Sequence, residues 1–183
     1  MNTTYIVIAV ALVLVVIAGA ILAPIFIQRK RSERLRDHFG PEYDHTVKTL
    51  GDEKKAQVEL EDRQKHVKAL DIHPLSSSES QRYAAEWAGV QLKFVDEPGQ
   101  AVIDADRLIM EVMHMRAYPV ADFEQRAADI SVNHPDFVSN YRSARETAIK
   151  NEQFQANTEE LRQAMIYYRS LFKELLEKEP LAV

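Results

Sequence analysis

The chain of 183 residues contains no cysteine. Disulfides, thiolate metal sites and a cysteine nucleophile are therefore excluded, and a reducing compartment is compatible with the composition. Glycine (5) and proline (7) are sparse. Ala, Leu, Glu, Gln, Lys and Arg are plentiful instead, which is the composition of helices and not of a turn-rich sandwich or barrel. Little or no sheet is expected. The glycines are not grouped, so there is no phosphate-cradling loop, and no G-x-S-x-G elbow is present. Six histidines (His38, His45, His66, His73, His114, His134) are scattered without an H-x-x-x-H pair, and surface or turn positions are expected for them.

Charge is missing from the beginning of the chain. Tyr5 to Ile27 is an uncharged run of 23 residues rich in Val, Ile, Leu and Ala. As a helix it is long enough to cross a hydrocarbon core of about 30 Å, and a transmembrane anchor over residues 1–28 is expected. A cleaved signal peptide is the competing reading, because Ala18-Gly19-Ala20 offers small residues. Against it stand a first segment, Met1 to Thr4, without Lys or Arg, an apolar run longer than a signal peptide uses, and a positive cluster placed after the run. Pro24, late in the run, is read as a tolerated kink.

Between Arg29 and Arg36 five bases (Arg29, Lys30, Arg31, Arg34, Arg36) face one acid, Glu33, a local net charge of +4; the whole-chain charge of −5 therefore leaves −9 on everything after Arg36. A basic flank stays on the cytoplasmic side. The expected address is the plasma membrane, single-pass, with the N-terminus outside and the C-terminal domain cytoplasmic. The same five residues have the composition of a lipid-headgroup collar, although setting topology accounts for them alone. The acidic remainder makes nucleic acid a poor partner, since phosphate contacts need a basic face.

Behind the anchor, helix signals follow one another. Gly40-Pro41 breaks the first helix after Phe39, and a short helix runs to a glycine cap at Gly51. From Asp52 to Ala69, ten of eighteen residues are charged, with no wide apolar stripe. This is read as a solvated stalk or a lightly packed helix, with residues 29–70 as a basic juxtamembrane and stalk region. A dimerising coiled coil there, giving a homo-oligomer, is the alternative, but fewer than three clean heptads exist. Ser76 to Glu79 has the order of a capping box, a simpler account of those serines than phosphorylation. Tyr83, Trp87, Val90 and Phe94 form a core stripe. Ala101 to Ala117 is the most apolar helix of the soluble part and is expected at the centre of the bundle. A short helix to about Ile130, another from His134-Pro135 to Glu152, and a last one capped by Asn157 with a full amphipathic face complete the soluble domain, 71–183. The expected fold is all-α: an N-terminal transmembrane helix followed by an irregular soluble helical bundle.

The most suggestive constellation is a pair of E-x-x-H sequences, Glu42 to His45 and Glu111 to His114, the spacing used by di-iron carboxylate bundles. Stepping about 100° per residue from Val112 at the centre of the apolar stripe places Glu111 and His114 off the core. Two further glutamates facing the same cavity are not identifiable. No metal, cofactor or catalytic residue is assigned.

Leu35 to Tyr43 (LRDHFGPEY), Trp87 to Val95, Tyr118 to Asp129 (YPVADFEQRAAD) and Val132 to Tyr141 (VNHPDFVSNY) together resemble an uncharacterised family of small bacterial single-pass membrane proteins with a C-terminal helical domain. The resemblance implies a bacterial plasma-membrane protein and brings no site residues with it. The expected function is that of a membrane-anchored cytoplasmic helical domain with a protein-interaction or scaffold role. Its partners would be the lipid bilayer and a protein at the cytoplasmic face. The alternative is an enzyme or small-ligand-binding protein with a pocket between helices, around Tyr83, Trp87, His114, Tyr118 and Glu124.

Overall fold

The computed structural model describes residues 26–120 and 122–177, together with Leu12, Ala20 and Ala23. The expected membrane span, Tyr5 to Ile27, therefore lies outside the described residues except for Leu12, Ala20, Ala23, Phe26 and Ile27. Among the described residues no helix is long and apolar enough to cross a membrane. The protein is all-α, with no strand among those residues. We number its helices α1 (26–39), α2 (Pro41–Leu50), α3 (Glu53–Ala69), α4 (Ser77–Lys93), α5 (Pro98–Met115), α6 (Phe123–Asn133), α7 (Pro135–Glu152) and α8 (Thr158–Glu177).

The helix boundaries follow from local chemistry. Gly40 separates α1 from α2 with φ 50° and ψ −127°, a conformation that is costly for a residue with a Cβ, and Pro41 supplies the first helical position behind it. Gly51 closes α2 in the left-handed conformation, its N–H donating to the Val47 carbonyl. The Asp52 side chain accepts from the Lys55 N–H at the start of α3. Ser76 and Glu79 form a complete capping box on α4. At the head of α8, the Asn157 side chain accepts from the N–H groups of Glu159 and Glu160, and the Glu160 carboxylate accepts from the Asn157 N–H in return.

Two apolar cores result. The larger joins α4 to α8: Val102, Ala105, Ile109, Val112 and Met113 of α5 pack against Leu161, Tyr168, Leu171 and Leu175 of α8 and against Val138, Tyr141 and Ala144 of α7. The smaller gathers Leu35 and Phe39 of α1, Tyr43 of α2 and Leu60 and Val67 of α3 onto Val132 of α6. Helix α6 faces both, which explains why every residue from Arg126 to Asn133 is buried. The charged helix α3 packs on α6 and α2 through Ala56, Gln57, Leu60 and Val67, so of its two readings the lightly packed helix describes it.

Buried ions tie the smaller core together. The Glu42 carboxylate, 1% exposed, accepts from Arg63 of α3 at 2.9 Å and from Arg142 of α7 at 3.1 Å. Three members of the basic cluster also bind inward: Arg31 and Arg34 pair with Glu61, and Arg36 reaches Asp44 while lying over the Tyr43 ring. Arg29 and Lys30 are exposed.

Candidate functional site

The five residues around which a polar pocket was expected do not share a cavity. Tyr83, Trp87 and Tyr118 belong to the packed core, at 3, 6 and 1% exposure. His114 is exposed, and Glu124, on the surface, pairs with Arg142. The two E-x-x-H sequences also lie apart in their surroundings: Glu42 is committed to its two arginines, His45 is exposed, and Glu111 pairs with Arg107 along α5. No group of three or more His, Asp or Glu among the described residues could hold a metal ion.

Of the histidines expected at surface or turn positions, His134 occupies a turn but is buried there, and His38 lies within α1. His134, 2% exposed, sits between α6 and α7 with Nδ1 3.1 Å from the Glu174 carboxylate. The half-buried His38 bonds through Nε2 to the Val132 carbonyl at 3.0 Å. Both join chain segments far apart in sequence, which gives them a structural task.

Buried titratable groups elsewhere are held in closed pairs. Asp106 accepts from the Tyr168 hydroxyl at 3.1 Å and from Arg145 at 2.8 Å. Burial and the Asp106 charge raise the Tyr168 phenol well above its ordinary value, so it stays protonated and acts as a donor only. Arg116, fully buried, donates to the carbonyls of His73 and Leu175. It thereby satisfies the end of α8 and anchors the strap that precedes α4. Asp129 is the exception. It is fully buried, takes one bond from Gln125 at 2.9 Å, lies 3.6 Å from His66, and leaves Oδ2 without a hydrogen-bond partner. Burial raises its carboxyl.

The accessible feature is a groove between α4 and α8. Both helices pack on α5. Of the seventeen residues of α4 only Tyr83 and Trp87 are buried, so its α8 side stands open. The Trp87 indole stacks on Phe172 with ring centroids 4.6 Å apart, and the groove passes over that pair. One section, of about 400 Å³, extends toward Ser80, Ala84 and Leu176; the other, of about 310 Å³, extends toward Phe94 and Ile166. Arg169 and Gln91 line both sections. Comparison with known proteins adds no relative: no family model, curated protein or solved structure matches the chain.

The rim chemistry is uneven. On the α8 side stand Arg162, Arg169 and Lys173, with Glu177 at the far end, all exposed; on the α4 side stand the amides of Gln81 and Gln91. Arg162 is engaged by Glu159 at 2.5 Å, leaving Arg169 and Lys173 as the cations toward an occupant. A groove with an aromatic floor and a basic edge suits an apolar helix face flanked by acids. The stripe Tyr83, Trp87, Val90 and Phe94 was legible from the sequence; that Trp87 would also floor a groove was not, because periodicity locates an apolar face without saying what covers it.

Proposed function

We propose that this protein is a membrane-tethered helical module that binds another protein at the cytoplasmic face, with the α4/α8 groove as its binding surface. The observation that carries this reading is the open groove that runs over the buried Trp87–Phe172 stack, with Arg169 and Lys173 on its rim. The uncharged run Tyr5 to Ile27 and the bases behind it would supply the tether and its orientation, and of those bases the exposed Arg29 and Lys30 carry, among the described residues, no ion pair that competes with headgroups. The resemblance of its sequence to a family of small bacterial membrane proteins agrees with this reading.

A photo-crosslinking residue at Gln91 in the groove should yield protein adducts in cells, whereas one at Ser143 on the exposed side of α7 should not. Adducts absent at Gln91, or equal at the two positions, would count against the groove. The tether has its own check: a reporter fused after Val183 should be active in the cytoplasm only. A small-molecule site is the second reading, favoured by a groove volume within the roughly 300–1,000 Å³ of such sites. Under that reading Trp87 fluorescence should respond to a metabolite extract depleted of protein.

A further inference from the structure

Helix α4 carries a second apolar pattern beside the one that enters the core. Ala85, Ala88 and Leu92 of α4, with Val95 in the turn that continues it and donates its N–H to the Leu92 carbonyl, recur at spacings of three, four and three, a seam of the coiled-coil type. All four are exposed, Leu92 at 75% and Val95 at 80%, and none lines the α4/α8 groove. At about 100° per residue the seam centres roughly 120° around the helix from Trp87, so no repacking of the monomer would bring it into the core.

Gly89 is a second and independent sign. It sits in the interior of α4, where glycine weakens a helix. Its backbone does not require glycine, and a Cβ added there would meet nothing within 4 Å. Among the described residues Gly89 borders an open groove toward Asp104 and Arg107 of α5, and no contact there requires a missing side chain. A close approach from outside would account for it.

We infer that this face of α4 binds the same face of a second copy, with the two helices antiparallel about a two-fold axis passing level with residue 90. In that register Ala85 meets Val95 of the other copy and Ala88 meets Leu92, so each small residue receives a large one. Beside the seam Gly89 faces Gly89, and Arg82 comes opposite Asp96 twice. The parallel register stacks Leu92 on Leu92 and alanine on alanine, and it places no opposite charges together. Size and charge both select the antiparallel pair. The inference depends neither on the membrane tether nor on what the groove binds.

The absence of native cysteine makes the test direct. Full-length Ala85→Cys and Val95→Cys proteins, one carrying a size tag, are mixed in detergent with a large excess of empty micelles and treated with a short bismaleimide. Cross-linked dimers joining the two variants should exceed those formed by either variant alone several-fold. Introducing Leu92→Glu or Gly89→Leu into both chains should lower that yield at least ten-fold, while Leu92→Glu leaves helical content and thermal midpoint near the parental values and Gly89→Leu does not lower them, because both positions are open in the monomer. The absence of dimers joining the two variants overturns the proposal. So does self-linking of Ala85→Cys at an equal yield, which would indicate the parallel register, and so does a yield insensitive to Leu92→Glu and Gly89→Leu.

Discussion

Glu42 and Glu61 each accept two arginines, and replacing each by glutamine isolates the effect of burial. The Glu61 side chain is 23% exposed, and its partners Arg31 and Arg34 are 35 and 67% exposed. Water replaces the lost carboxylate there, and the cost expected is about 1 kcal/mol or less. Glu42 is 1% exposed and its partners Arg63 and Arg142 only 14 and 17%. Removing one side of a buried ion cluster costs roughly 3–5 kcal/mol because the opposite charge is left desolvated. Here each arginine keeps a second carboxylate, Glu59 for Arg63 and Glu124 for Arg142, so the lower end, about 3 kcal/mol, is expected for Glu42→Gln. Urea unfolding of the full chain in mild detergent, followed by the fluorescence of Trp87, its only tryptophan, reads both. At a slope near 2 kcal/mol per molar, the Glu42 variant should lose about 1.5 M in its midpoint. Equal midpoints for the two variants would refute the claim that the Glu42 cluster joins α2, α3 and α7.

Phe172→Ala should cost about 3–5 kcal/mol and shift Trp87 emission to the red, since it removes the ring stacked on the indole. Ser76→Ala, which breaks the α4 capping box, should cost about 1 kcal/mol in the same urea assay. Gly89→Ala should raise stability by about 0.5–1 kcal/mol, because the added methyl enters open space; a loss would show that the position is not open. Asp129→Asn should stabilise the protein at neutral pH. Its carboxyl is raised above the ordinary 3.8 by burial, so the folded state holds a proton that the unfolded chain releases first, and wild-type stability falls as pH rises through the window above 3.8. The advantage of the Asn variant, measured as a difference between the two urea curves, should vanish below that pH; an advantage constant across it would refute the assignment.

The elements that could be read from sequence are those whose signals are local. Gly40-Pro41, the Ser76 capping box and the Asn157 cap act through their own neighbours within a turn, and the structure places helix ends at each of them. The stripes of α5 and α8 are equally legible because apolar side chains at helical spacing have few other places to go. Helix α6 is the opposite case: Arg126, Asp129, Ser131 and Asn133 are polar side chains with no apolar pattern to mark them as interior, yet all are buried. Their partners, such as Tyr141 for Arg126 and Tyr118 for Asn133, lie on other parts of the chain and leave no local pattern. Glu42 was obscured in the same way. A glutamate in the first turn of a helix is ordinary dipole chemistry, and only the arrival of Arg142, a hundred positions away, reveals that it is buried. Helix α4 shows the limit from the other side, since both of its apolar patterns are written in the sequence and only one of them is used by the monomer.

That asymmetry separates folding from binding in this molecule. The polar groups that hold the helices together lie mostly on α1 to α3 and α5 to α8, where ions and phenols are paired inside the fold. Helix α4 contributes two fully buried side chains and leaves exposed the features that ask for a partner: the aromatic groove on its α8 side and the apolar seam around Leu92. A substitution in the groove should therefore act on both stability and binding, because Trp87 and Phe172 are core residues as well as groove floor. One at Leu92 on the seam should act on association without lowering stability. Variants of Leu92 or Gly89 that keep the monomer's stability but alter its assembly would locate the binding role on α4, and variants that do the reverse would return that helix to the core.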